Sequence, residues 1–222
     1  ASAVRMAITS TGSRVFVQMS NSRLAIVDVA SRSLTADVPV GDTALVMRVA
    51  SGDSLLYLGM KAGDVLEVST TSGSVRRKFK AIRGVVDLFI APDGKTLVIA
   101  GGTTSIQVVA LVPGARDETI NFDDTETLRI YAVGVTPDGS QLWAAATGDL
   151  PLPVGNAIFV ARFQTADGVT QWNGALVGVP AANANRILFD ATGGYAIVQD
   201  DGANQVVAQN GARVPPRVLI LR

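Results

Sequence analysis

One turn motif recurs along this chain of 222 residues: a glycine preceded by small or polar residues and followed by an apolar run. Its clearest copy is the stretch 85–111, VVDLFIAPDGKTLVIAGGTTSIQVVAL, where three apolar runs are separated by 92–94 and 101–104. That spacing is typical of short strands joined by tight turns. The turn glycines of the five copies are 40, 42, 45 and 54 residues apart, at Gly12, Gly52, Gly94, Gly139 and Gly193.

Each turn glycine follows one predicted strand and, in the complete copies, precedes three more. A period of about 40 residues with several strands in each repeat indicates a propeller. We therefore predict an all-β fold, a β-propeller of about five four-stranded blades forming one domain. The predicted blades are 1–43, 44–84, 85–127, 128–182 and 183–222. Several predicted strands are apolar throughout, as expected where neighbouring blades cover both faces of a sheet.

The fifth copy is shorter than the others. It supplies strands at 187–190, 194–199 and 217–222 but no outer strand, which gives about nineteen predicted strands in all. Two arrangements remain open. The chain is either a five-bladed ring with an incomplete last blade or part of a larger ring whose other blades lie outside this sequence.

Composition excludes several kinds of site. The chain has no His and no Cys, so a Ser-His-Asp triad, a histidine metal cage and a thiolate zinc site are impossible. Its 19 basic and 19 acidic residues balance, so no whole-chain field attracts nucleic acid. No apolar run approaches the roughly 20 residues of a membrane-spanning helix. We predict no cofactor, no nucleic-acid partner and no membrane span.

The lack of Cys also bears on location. Together with a start at Ala1 rather than at Met, it favours an exported bacterial protein, extracellular or periplasmic. Excision for expression explains the start equally well.

Several short motifs carry a family resemblance. They are Ala91-Pro92-Asp93-Gly94, Thr136-Pro137-Asp138-Gly139, Leu56-Tyr57-Leu58, Ile26-Val27-Asp28 and Val38-Pro39-Val40-Gly41. In these motifs the chain resembles the YVTN-type bacterial β-propeller repeats along its whole length. The resemblance implies a propeller, but such motifs specify a blade and not a ligand. The family includes surface and periplasmic interaction proteins as well as lactonase-like and dehydrogenase-subunit members.

The longest predicted loops gather on one side of the predicted ring, at 121–127, 147–155 and 200–216. Loops grouped on a rigid scaffold suggest a binding surface. We predict that a protein or glycan partner contacts Asp149, Leu150, Leu152, Val154, Asp200, Asp201, Gln205, Arg213, Asp123, Asp124, Glu126 and Trp172.

Some charged residues allow two interpretations. Asp123, Asp124 and Glu126 offer oxygen ligands for Ca²⁺ but lack the spacing of a calcium loop. The basic cluster at 76–80 suggests nucleic acid, yet it falls on a predicted outer strand, where Lys and Arg discourage edge pairing. We favour the edge-strand role.

Other residues have mainly structural interpretations. Asp93 and Asp138 precede turn glycines, so we predict that they form turns rather than catalyse. Trp143 is predicted to pack in the core. Arg48, Asp87 and Arg186 are predicted to lie on the innermost strands, where they would give the channel a polar lining.

Three functional hypotheses follow. The first is a non-enzymatic binding or scaffolding module, because no set of acid, base and nucleophile is recognisable. The second is a lactonase-like or metal-dependent hydrolase with Asp, Glu and Arg around the channel and a bound divalent ion. The third is a structural segment of a larger surface or filament protein, with further blades or domains outside this sequence.

Overall fold

The structure, a computed structural model, is all-β. It describes residues 1–81, 84–114, 117–121, 128–148, 157–166, 169–172, 179–180, 184–200 and 217–221. Within these ranges there is no helix, and so none that is long and apolar enough to cross a membrane. The chain divides into two compact units, Ala1–Leu88 and Phe89–Arg222.

The first unit contains two four-stranded antiparallel sheets, each with its strands in chain order. The first sheet consists of β1 (Ala3–Ile8), β2 (Arg14–Met19), β3 (Arg23–Asp28) and β4 (Ser33–Pro39). The second consists of β5 (Ala44–Val49), β6 (Leu55–Met60), β7 (Asp64–Ser69) and β8 (Val75–Lys80).

Local sequence explains these strands and turns. In β3, Leu24 and Ile26 are fully buried while Ala25 and Val27 on the other face are only half-buried, the two-residue period of a strand. The turn from β1 to β2 places Gly12 at φ 70°, a conformation that glycine adopts without steric cost.

The core of the first unit lies between its two sheets. Its buried members are Phe16, Leu24, Ile26, Val40, Ala44, Met47, Leu56, Leu58, Met60, Leu66 and Val68. Each large side chain removed from water in this way contributes roughly 1.5–3 kcal/mol. The two sheets are therefore held face to face by apolar contact.

The second unit contains three sheets. The third sheet consists of β9 (Asp87–Ile90), whose first two residues precede the unit boundary, β10 (Thr96–Ala100), β11 (Ser105–Ala110) and β12 (Glu118–Asn121). The fourth consists of β13 (Leu128–Val135), β14 (Gln141–Gly148), β15 (Ala157–Ala166) and β16 (Val169–Trp172), with the short β17 (Val179–Pro180) also paired to β15. The last consists of β18 (Ala184–Phe189), β19 (Ala196–Asp200) and β20 (Arg217–Leu221).

The last sheet packs on the fourth through a small core. Trp143 on β14 meets Phe189 on β18 edge to face, with ring centroids 5.4 Å apart. Ile187, Ala196 and Val198 are buried in the same cluster. The predicted packing role of Trp143 is confirmed.

The described residues confirm an all-β fold with several four-stranded antiparallel sheets. In the described residues the last sheet has three strands. Sequence reasoning did not predict β17, a two-residue strand containing a proline. Such meanders fit a propeller-like fold, while the number of blades and the closure of a ring stay predictions.

Candidate functional site

Most residues predicted to contact a partner lie outside the described residues: Asp123, Asp124, Glu126, Asp149, Leu150, Leu152, Val154, Asp201, Gln205 and Arg213. Of the other two, Trp172 ends β16, with its backbone paired to Phe163. Asp200 ends β19. Their role in binding stays a prediction, as does the calcium site. Among the described residues, no group of three His, Cys, Asp or Glu is placed to hold a metal ion.

The first sheet has an exposed apolar face. The strand register forms two rows, Met6–Val17–Ala25 and Ile8–Val15–Val27–Leu34. Met6 is 70% exposed, Ile8 56% and Leu34 59%, and the other four residues are half-buried. We call these seven residues the first-sheet face. The opposite face of the same sheet is the one buried on the second sheet.

The last sheet also has one covered and one exposed face. Its exposed rows are Leu188–Ile197–Ile220 and Arg186–Gln199–Val218. Ile220 is 68% exposed and Val218 62%, and Arg186 and Gln199 are exposed as well. We call these six residues the last-sheet face.

Polar groups fix how the second sheet meets the first. Gln18 is fully buried, and its side-chain nitrogen donates to the Asp42 carbonyl at 2.9 Å while its oxygen accepts from the Ala44 amide at 2.8 Å. Arg5 Nε donates to the Ala44 carbonyl at 3.1 Å. The beginning of β5 is thus held through its backbone by two side chains of the first sheet.

A second polar contact joins the turns of the same two sheets. Asp53 accepts hydrogen bonds from the backbone amides and hydroxyls of Ser10 and Thr11, at 2.7–3.2 Å. These bonds, that from the Ser10 amide above all, hold the pKa of Asp53 below its usual value of 3.8. A carboxylate that accepts several hydrogen bonds is stabilised in its charged form.

The basic cluster lies on β8, at the edge of the second sheet, so the predicted edge position is confirmed. Across the strands, Tyr57 pairs with Glu67 and Glu67 with Arg77. The Tyr57 hydroxyl donates to Glu67 Oε2 at 3.0 Å, and Arg77 Nε donates to the same oxygen at 3.0 Å. Burial, followed by the Glu67 charge, raises the pKa of Tyr57. The cluster's Arg77 therefore serves to compensate a buried carboxylate.

The residues predicted to line a channel show one ion pair within the first unit. Arg48 Nη2 lies 2.8 Å from Asp87 Oδ1, and Asp87 is buried. This pairing neutralises the buried carboxylate, as buried charges require.

In the second unit a cleft of about 350 Å³ opens between the third and fourth sheets. Its walls are mostly apolar and include Val98, Val108 and Leu142, and its rim carries Asp93 and Asp138. These two carboxylates are turn formers, as predicted. Asp93 accepts from the Lys95 amide at 2.8 Å, and Asp138 accepts from the Ser140 amide at 3.0 Å.

Asp138 is the more strongly bonded of the two rim carboxylates. Its bond from the Thr136 hydroxyl, together with the bonds from Ser140, lowers its pKa to about 2. The rim of the cleft therefore stays negatively charged near neutral pH.

Comparison with known proteins identifies the fold but not the family. No family profile and no curated protein matches the chain. A solved structure titled Kuenenia stuttgartiensis Hydrazine Synthase matches with a TM-score of 0.68 and 18% sequence identity, over 87% of this chain and 60% of that one. In all, 1235 solved chains match, and a fold shared so widely does not determine function.

Proposed function

We propose that this chain is a non-enzymatic binding or scaffolding module of an exported bacterial protein, built as a YVTN-type propeller. About five blades form it, with an incomplete last blade or as part of a larger ring. The repeated turn glycines and the four-stranded meanders support this architecture. Its surface, rather than a reacting group, performs the function.

The observation that carries this proposal is the first-sheet face. An exposed, contiguous apolar patch on a soluble domain marks an interaction surface. Its seven members are all aliphatic or Met, so their side chains give a glycan no hydrogen-bonding group. The core of a protein interface is apolar, and this chemistry favours a protein partner over a glycan.

The test compares the first-sheet face with the long loops. The immobilised chain is exposed to a bacterial periplasmic extract, and captured proteins are identified by mass spectrometry. We expect the Met6→Asp/Ile8→Asp variant to lose the partner that the wild type captures. Val112→Asp, at a 40% exposed residue outside this face, is the matched control and should retain it.

The loops are tested in the same assay. Variants with residues 150–154 and 205–213 replaced by Gly-Ser links test the loop residues predicted from the sequence. Capture that survives Met6→Asp/Ile8→Asp but is lost with the loop variants would contradict the role of the first-sheet face. It would assign binding to the loops instead.

The cleft between the third and fourth sheets favours a second candidate, binding of a small amphipathic cation. Its volume of about 350 Å³ is within the range of ligand pockets, and Asp93 and Asp138 would face the charge. Benzyltrimethylammonium is a suitable probe in an NMR titration. Val108→Trp, which fills the cleft, should abolish the shifts. Shifts that persist in this variant would contradict the site.

A further inference from the structure

In the second sheet, the residues that correspond to the first-sheet face are covered by the sheet that precedes it in the chain. Strands β1 and β5 each carry a bulge between their first and third residues. Counted from that bulge, Met6 corresponds to Met47 and Ile8 to Val49. Met47 is only 6% exposed, and Val49 packs on the same core. At these positions of the repeat, a preceding sheet covers the side chains.

The last-sheet face corresponds to the buried face of the first sheet, which is the face that packs on the second sheet. Strand β18 has the same bulge, after which Arg186 is its third residue, as Arg5 is in β1. Arg186 is paired with Gln199 in the register, as Arg5 is paired with Gln18. The last sheet therefore repeats the Arg and Gln pair that holds the beginning of β5 in the first unit.

The apolar residues follow the same correspondence. In register, Ile197, Val218 and Ile220 occupy the positions that Phe16, Leu24 and Ile26 occupy in the first sheet. Those three first-sheet residues are fully buried against the second sheet. Val218 and Ile220, at the corresponding positions, are more than 60% exposed.

We propose that the last-sheet face of one copy of this chain binds the first-sheet face of a second copy. In this contact, β1 of the second copy lies on the last sheet of the first copy in the same way as β5 lies on the first sheet within one chain. This inference rests on the proposed protein-binding role of the first-sheet face. A second copy is the occupant because each chain carries both halves of an interface that already exists within its first unit. Arg186 then donates to the carbonyl of Ala3 in the second copy, the residue that corresponds to Ala44.

Such a contact is heterologous, because two different surfaces of the chain meet. Heterologous contacts continue from copy to copy and produce a closed ring or an open filament. The variants Met6→Asp and Ile220→Asp each damage one surface and leave the other intact. Both residues are about 70% exposed, so the substitutions spare the core.

The experiment is sedimentation velocity over a range of protein concentrations. The wild type and the Val112→Asp control should form species larger than a monomer as concentration rises. Met6→Asp and Ile220→Asp should each remain monomeric alone, whereas an equal mixture should form a dimer and nothing larger. Arg186→Ala should weaken association by roughly tenfold, the effect of a charge-assisted hydrogen bond.

Three results would overturn the inference. One is a wild type that stays monomeric, which would mean that a ring closed within one chain, a further blade or a different protein covers these faces. Another is Ile220→Asp associating with itself, which would indicate a symmetric contact between first-sheet faces. The third is a mixture that stays monomeric. A monomeric wild type whose partner capture is still lost with Met6→Asp/Ile8→Asp would overturn this inference alone and leave the proposed function in place.

Discussion

The buried side chain of Gln18 holds the backbone of Ala44, because its oxygen accepts a hydrogen bond of 2.8 Å from the Ala44 amide. Its nitrogen donates to the Asp42 carbonyl at 2.9 Å. One residue of β2 thus satisfies the backbone of the segment that enters β5. The contact combines full burial with a hydrogen bond at both the nitrogen and the oxygen of the amide, and buried polar atoms that have partners stabilise a fold.

Gln18→Leu should therefore destabilise the chain. The Ala44 amide would lose its acceptor while remaining buried, which costs about 1–3 kcal/mol. Urea denaturation followed by circular dichroism measures the loss. A urea midpoint that does not change in Gln18→Leu would contradict this role for Gln18.

Glu67 and Arg77 lie next to each other in the cross-strand row with Tyr57 and form an ion pair. We therefore expect their contributions to the free energy of unfolding to be strongly coupled. Arg77→Met leaves the buried Glu67 carboxylate without its cation and should cost about 2 kcal/mol, less than for a fully buried pair because Arg77 is partly exposed. The double variant Glu67→Gln/Arg77→Met should recover part of that loss. A double-mutant cycle in chemical denaturation measures the coupling. Strict additivity would show that the pair does not interact.

We expect Asp53 to make a pH-dependent contribution to the stability of the folded chain, because its hydrogen bonds with Ser10 and Thr11 stabilise the charged carboxylate. Its pKa in the folded chain is below 3.8, so its stabilising effect is complete above about pH 4 and is lost as pH falls through the folded pKa. Asp53→Asn should lower the thermal midpoint at pH 7, with a gap to the wild type that closes at acid pH. Asn tolerates the φ of 56° at this position. A gap that is unchanged at acid pH would refute the electrostatic origin.

Gly59 marks a close approach of side chains in the first unit. A Cβ there would lie 2.5 Å from Val85 Cγ1 and 2.6 Å from Val46 Cγ1. Gly59→Ala should destabilise the chain by about 1–3 kcal/mol through overpacking. Val46→Ala removes a buried side chain, which is costly alone, but it also makes room for the new methyl group. It should therefore cost less in the Gly59→Ala background than in the wild type, as read from urea denaturation of all four chains. An equal cost in both backgrounds would contradict overpacking as the cause.

The sequence predicted local features well because turn chemistry and strand period are local. The turn roles of Asp93 and Asp138 and the packing of Trp143 followed from neighbouring residues alone. The contacts of Gln18 and Asp53 did not, because they depend on register between distant strands. Gln18 and Gln199 occupy the same position in two copies of the repeat. This correspondence becomes visible only once the strands are paired.

The candidate site was less predictable than the fold. Loop length directed attention to 147–155 and 200–216, whereas the described residues show an exposed apolar face on the first sheet. Val4, Met6 and Ile8 share one face of β1, and an apolar face of this kind reads in the sequence as a buried one, so the sequence alone gives no sign that the face lacks a cover. Solvent exposure depends on what lies opposite in space.

The most direct test of the central claim compares two methionines at one position of the repeat. Met6 is 70% exposed and Met47 6%, and exposed Met oxidises to the sulfoxide faster than buried Met. Oxidation by dilute hydrogen peroxide is followed by mass spectrometry at low and high protein concentration. If another copy covers the first-sheet face, Met6 oxidises rapidly at low protein concentration, and its rate approaches the slow rate of Met47 at high protein concentration. A Met6 rate that is the same at every concentration would contradict the account.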